Sequence, residues 1–110
     1  MLVTIYLLAR LIAGEAGTCD IDAKLAIAHV HNNRAQANII GGWYGDAEPT
    51  RIDLLIAKYW ALYPDSTEGA LFLFSNTDLT NRAVRDIIDV MKLQESARFI
   101  CANSTLHAYK

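Results

Sequence analysis

Glu15 is the residue of this chain best placed to do chemistry. It stands in Leu8-Ala9-Arg10-Leu11-Ile12-Ala13-Gly14-Glu15-Ala16-Gly17, where an apolar run gives way to one carboxylate among residues with almost no side chain. Apolar residues at Leu2, Ile5, Leu8, Ala9 and Ile12 follow the i, i+3, i+4 spacing of a helix, and Leu7 and Leu11 widen that face, which predicts a well-buried helix over 2–13. Gly14 and Gly17 are natural stops, so Glu15 is expected at or just past the helix C-terminus. There the negative end of the helix dipole and the apolar neighbours both disfavour a charged carboxylate. A carboxyl that keeps its proton is what general acid catalysis requires. The small flanking residues also let a bulky polymeric substrate approach closely. Spacing alone equally allows a solvated Glu in a glycine-rich loop.

Other side chains fit a supporting role. Trp43 and Tyr44 lie in a loop among Gly41, Gly42 and Gly45; aromatic rings so placed can stack on sugars, or plug the core. Ser75 and Asn76 close an aromatic strand with two polar groups, and Tyr109 ends another. Asn33-Arg34 suits the anchoring of a loop better than ligand contact. His29 and His31 are two apart and point to nearly opposite sides of a helix, one expected exposed and the other hydrogen-bonded. Zinc-binding histidines on a helix want i, i+4 spacing, and no metal site is expected. Cys19 and Cys101 can pair as a disulfide or remain two separate thiols.

The elements that must hold these groups follow from the chain's pattern. With 110 residues, 53% of them hydrophobic and 20% charged, one domain spanning 1–110 with one core is expected, and disorder is not. A formal net charge of −2 argues against nucleic acid as a partner. The first apolar run is interrupted by Arg10, lacks a basic leader and is too short to span a bilayer, so neither a membrane span nor a clear signal peptide is read there. Asp20 or Asp22 caps an alanine-rich helix running to Arg34. Thr50, with Asp53 three residues on, starts another, whose Ile52, Leu55, Ile56, Tyr59 and Leu62 form a stripe expected to face the core. Ala70 to Phe74 reads as a strand, 81–91 as a short helix, and 97–109 as a hairpin turning at Asn103-Ser104-Thr105. The strand and the hairpin can make one small antiparallel sheet, giving an α+β, mainly helical fold.

In this order the segments resemble the SleB-type cell wall hydrolases, a family that includes spore-cortex-lytic enzymes. The helix ending in Glu15-Ala16 is similar to the family's Glu-Ala helix, and Ala23 to Arg34 to its helix closing on Asn-Arg. Asp65-Ser66-Thr67-Glu68-Gly69-Ala70, leading into Leu71-Phe72-Leu73-Phe74, resembles its Asp-x-Thr-x-Gly-Ala turn and aromatic strand, and His107-Ala108-Tyr109 resembles its closing His-x-Phe-Tyr without the Phe. The resemblance spans nearly the whole chain. It implies a lysozyme-like catalytic domain acting at the bacterial cell wall on peptidoglycan, with Glu15 as the catalytic residue, Tyr109, Ser75 and Asn76 as candidates to hydrogen-bond sugar oxygens or orient Glu15, and no cofactor; a monomer is expected. Many members look like lytic transglycosylases, which break the bond between N-acetylmuramic acid and N-acetylglucosamine without water. An ordinary glycosidase needs two carboxylates, and only Glu15 is well framed. Asp20, Asp22 and Asp65 are the candidates for a second one in a hydrolytic muramidase; a glycan-binding module without chemistry is the other alternative. The glycine-flanked Trp43 loop departs from the spore enzymes, so a phage lysis or housekeeping context is equally open.

Overall fold

The computed structural model describes residues 2–39, 41, 43 and 45–110. Helix α1 (Leu2–Ala16) is followed by α2 (Ile21–Gln36), α3 (Arg51–Tyr59) with a 3-10 turn at Trp60–Leu62, strand β1 (Phe72–Ser75), α4 (Asn76–Leu79), α5 (Arg82–Met91), β2 (Glu95–Ile100) and β3 (Thr105–Tyr109). The strands form one antiparallel sheet in the order β1-β3-β2. Phe72 pairs with Tyr109 and Ser75 with Leu106 on one side of β3, and Ile100 pairs with Thr105 on the other. The architecture is α+β, as the sequence predicts.

The core is built around α2, which packs against α1, α3 and the sheet. Ile12, Ile27 and Val30 are its largest fully buried apolar side chains, and Phe99, Leu106 and Ala108 close it from the strands. Ala9, Ala23, Ala26 and Ala28 are also buried, so the first two helices pack with small residues between them. Asp20 starts α2 by accepting a hydrogen bond from the Ala23 backbone N–H at 3.0 Å. Thr50 and Asp53 form a reciprocal capping box at the start of α3. Asp53 is fully buried and pairs with buried Lys24 of α2, which fixes α3 against α2. A disulfide joins Cys19, just after α1, to Cys101, just after β2.

Three expectations are corrected. The stripe on α3 does not face the core: Ile56 is buried with Ala57, whereas Ile52, Leu55, Tyr59 and Leu62 are exposed. The helix is seated through Asp53, Ile56 and Ala57, chiefly against α1 and also through the Lys24 pair with α2, and that seating turns much of the stripe outward. Leu7 likewise lies outside the core, 60% exposed, because α1 buries the side carrying Ala9 and Ile12. His31 is exposed as expected, although its ring is partly shielded from solvent against Trp43, but buried His29 is not hydrogen-bonded through Nε2; its ring meets Trp60 edge-on at 5.2 Å.

The turn before β1 is fastened by Asp65. Its carboxylate accepts from the Asn33 amide (3.0 Å), the Thr67 backbone N–H (2.8 Å), the Thr67 hydroxyl (2.5 Å) and the Gly69 N–H (3.1 Å). Burial opposes its ionisation, but these bonds outweigh burial and hold its pKa below the ordinary value of 3.8. Asp53 is lowered in the same way: burial works against the charge, and the bonds from Lys24 and Thr50 prevail. Carboxylates with depressed folded pKa values contribute stability that is present above the unfolded value and lost as pH falls through the folded one. His31 is a base whose pKa is lowered, first by burial and then by the charge of Arg34, so it disfavours folding as pH falls below its ordinary 6.5. Stability is therefore expected to decline gently below that value and steeply below about pH 5. Urea midpoints measured from pH 7 to pH 3 check this, and Asp65→Asn should flatten the acid limb.

Candidate active site

The C-terminal turn of α1 presents Glu15, and a loop crosses directly over it. The helix does not stop at Gly14, as its sequence suggests, but continues to Ala16. Gly14 serves close approach instead. A Cβ built there would lie 2.2 Å from the Asp46 backbone nitrogen and 2.4 Å from the Gly45 carbonyl carbon. The loop answers in kind: a Cβ on Gly45 would lie 2.6 Å from the Glu15 nitrogen and 2.7 Å from its Cγ. Backbone thus rests on backbone, and the Gly45 N–H donates to Glu15 Oε1 at 2.6 Å. Arg10, one turn earlier on α1, clamps the same loop by pairing with Asp46 at 2.6 Å and Glu48 at 3.3 Å. The Asp46 bond raises the Arg10 pKa further above its usual range.

Glu15 is half-buried and lines a cleft of about 360 Å³. The cleft draws its walls from separate parts of the chain: Ile27 of α2, Trp43 of the loop, Leu73, Phe74 and Ser75 of β1, Val84 of α5 and Leu106 of β3. A half-buried carboxyl beside an indole and mostly apolar walls is an arrangement in which a proton donor can face a stacked ring. Glu15, Trp43 and Ser75, three of the residues singled out in the sequence, are brought together here.

The others lie elsewhere. Ser75 spends its hydroxyl on α4, accepting from the Asp78 N–H at 3.1 Å. Asn76 begins α4, and its amide oxygen lies 2.6 Å from His107 Nε2. His107 Nδ1 is in turn 3.3 Å from Glu95, so Asn76 joins a link running to β2 and not the cleft wall. Tyr109 packs its ring against Phe74 at 5.7 Å and is not among the cleft-lining residues. Burial, then the charge of Glu95, raises its pKa. Tyr44 lies outside the described residues. Arg34 anchors the loop, donating to the carbonyls of Leu71 and Gly41.

A residue the sequence reading passed over also lines the cleft: Asp78, whose carboxylate accepts the Ser75 N–H at 2.9 Å. Its signal was the Ser75-x-x-Asp78 spacing, a short capping box directly after a strand. The earlier candidates for a second carboxylate are placed away from the cleft or already engaged. Asp20 caps α2, Asp22 lies with it on other surface hollows, and Asp65 is held in its turn. Among the described residues no cluster of three His, Cys, Asp or Glu could hold a metal, and no helix is long and apolar enough to cross a membrane.

The glycine contact makes a direct prediction. Gly45→Ala should destabilise the protein by about 1–3 kcal/mol, the usual cost of overpacking, and should displace Glu15. Gly41→Ala meets nothing within 4 Å and carries only the cost of its φ of +83°, about 1 kcal/mol. Thermal melts of the two variants side by side check the difference; equal losses would mean that the close approach is not what constrains Gly45.

No family model, curated protein or solved structure matches the chain. Fold and cleft together define an α+β domain with a single half-buried glutamate set by backbone contact into an apolar-walled cleft.

Proposed function

We propose that this protein cleaves the glycan strand of peptidoglycan between N-acetylmuramic acid and N-acetylglucosamine, as a lytic transglycosylase with Glu15 as its one acid/base. The observation that carries the reading is Glu15 in a cleft shared with Trp43, held there by the Gly45 N–H. In this mechanism Glu15 gives its proton to the glycosidic oxygen, and the bond from that oxygen to C1 of the muramic residue breaks. The resulting carboxylate then takes the proton of the muramic C6 hydroxyl as O6 bonds to C1. A 1,6-anhydro ring forms, Glu15 regains its proton, and no water or cofactor is consumed. Trp43 supports a stacked sugar, and the resemblance of the ordered segments to the SleB-type hydrolases favours the same substrate.

A second reading stays with the same cleft. Asp78 lines it as well, and a second carboxylate is what a water-using muramidase requires. Digestion of purified peptidoglycan, followed by mass analysis of the muropeptides, separates the two. Anhydro-ended products are expected. Reducing ends alone would exclude the transglycosylase route, and their loss in Asp78→Asn would assign the base.

A further inference from the structure

Trp43 walls a second cavity as well, of about 360 Å³, lined by His31, Arg34, Asn38 and Gly41. Arg34 is buried, 6% exposed. Its guanidinium donates to the carbonyls of Leu71 (3.0 Å) and Gly41 and lies 5.5 Å from the ring centre of Trp43 and 5.0 Å from that of Phe72. Every one of these partners is neutral. Among the described residues no carboxylate forms an ion pair with Arg34, and its Nε has no hydrogen-bond partner. A buried cation without a counter-charge is costly, and burial draws the Arg34 pKa downward. Beside it the His31 ring stands 6.3 Å from that of Trp43. Burial and the Arg34 charge favour its neutral form, which still offers one N–H donor.

We propose that this cavity is an anion subsite that takes a carboxylate from the peptide branch of the glycan strand. The assignment rests on the glycan-cleavage reading for the identity of the polymer. Arg34 supplies the missing half of an ion pair, and a guanidinium suits a carboxylate above other anions of its size. His31 and Asn38 add uncharged donors at the rim. The sugars of the strand carry no charge where the lactyl group is amidated, so the free carboxylates belong to the peptide branches. Trp43, the wall common to both cavities, places the branch beside the bond that Glu15 addresses.

Asn38→Asp tests this without removing any bond of Arg34. It puts a negative charge on the cavity wall at a φ of 58°, which Asp tolerates. In the Glu15→Gln background, N-acetyl-D-alanine should shift the NMR signals of the Trp43 indole N–H and the His31 ring, and Asn38→Asp should weaken that binding about tenfold. Soluble strands with free peptide carboxylates should bind about tenfold more tightly than strands whose peptide carboxylates have been converted to amides with carbodiimide and ammonia, a preference that Asn38→Asp abolishes. Unshifted signals with N-acetyl-D-alanine overturn the subsite. So does equal binding of the two kinds of strand, which leaves the glycan reading standing. Shifts with the probe but no binding of either strand overturn the glycan reading, and the peptide-branch assignment falls with it.

Discussion

Glu15→Gln is expected to lower the rate of strand cleavage by about 10²- to 10⁴-fold, the usual contribution of a positioned acid/base. Gln keeps the length of the side chain and one carbonyl oxygen, so the Gly45 N–H at Oε1 retains an acceptor. Binding to insoluble peptidoglycan should therefore persist, and the melting temperature should stay close to that of the parent. This combination separates three accounts of the cleft. A glycan-binding module without chemistry predicts that parent and variant bind alike and that neither releases muropeptides. An adaptor using the Trp43 loop predicts no affinity for the polymer at all. Lost turnover with kept binding belongs to the enzyme alone.

The largest effect on stability is expected from the Cys19–Cys101 disulfide. Its cysteines are separated by 82 positions in sequence. A link closing a loop of that length removes conformational freedom from the unfolded chain worth about 4.5 kcal/mol in the chain-entropy model. For a domain of this size such a loss corresponds to a fall in melting temperature on the order of 20 °C. The link ties the end of α1, which carries Glu15, to the sheet that supplies Leu106 to the cleft. A Cys19→Ser, Cys101→Ser double variant, melted beside the parent with and without dithiothreitol, checks the prediction. If reductant lowers the parent to the level of the variant and leaves the variant unmoved, the bond itself is responsible. A difference of only a degree or two would show that the loop is already held by its other contacts.

Much of the scaffold was legible because its signals are local. The capping box at Thr50 and Asp53, the Asp20 cap, the strand at Phe72 and the hairpin that follows are each set by residues a few positions apart. What was misread depends on residues far away in the chain. Gly14 looked like a helix stop because nothing nearby reveals that Gly45 and Asp46 lie against it. The stripe on α3 has the spacing of a buried face, but contacts with α1 and the buried pair with Lys24, both far away in the chain, bury Asp53, Ile56 and Ala57 instead. The two cysteines left both outcomes open, since pairing depends on bringing Cys101 beside Cys19. Glu15, Trp43 and Ser75 were found by chemistry and position. Asn76 and Tyr109 were chosen by the same reasoning, yet their bonds and contacts run across strands to His107 and Phe74. Asp78 was missed because the strand was followed only as far as Ser75 and Asn76, and the short helix that Asp78 caps was not read.

The contact between Gly14 and Gly45 bears on how the cleft can be altered. It sets backbone against backbone beside the proposed acid, at two positions where neither partner can gain a side chain without moving the other. The groups that shape the cleft, Trp43, Leu73 and Val84 among them, take no part in that contact. Substitutions in the lining can therefore change what the cleft accepts while the proposed acid stays where it is. The shape of the cleft and the position of its glutamate are set by separate residues.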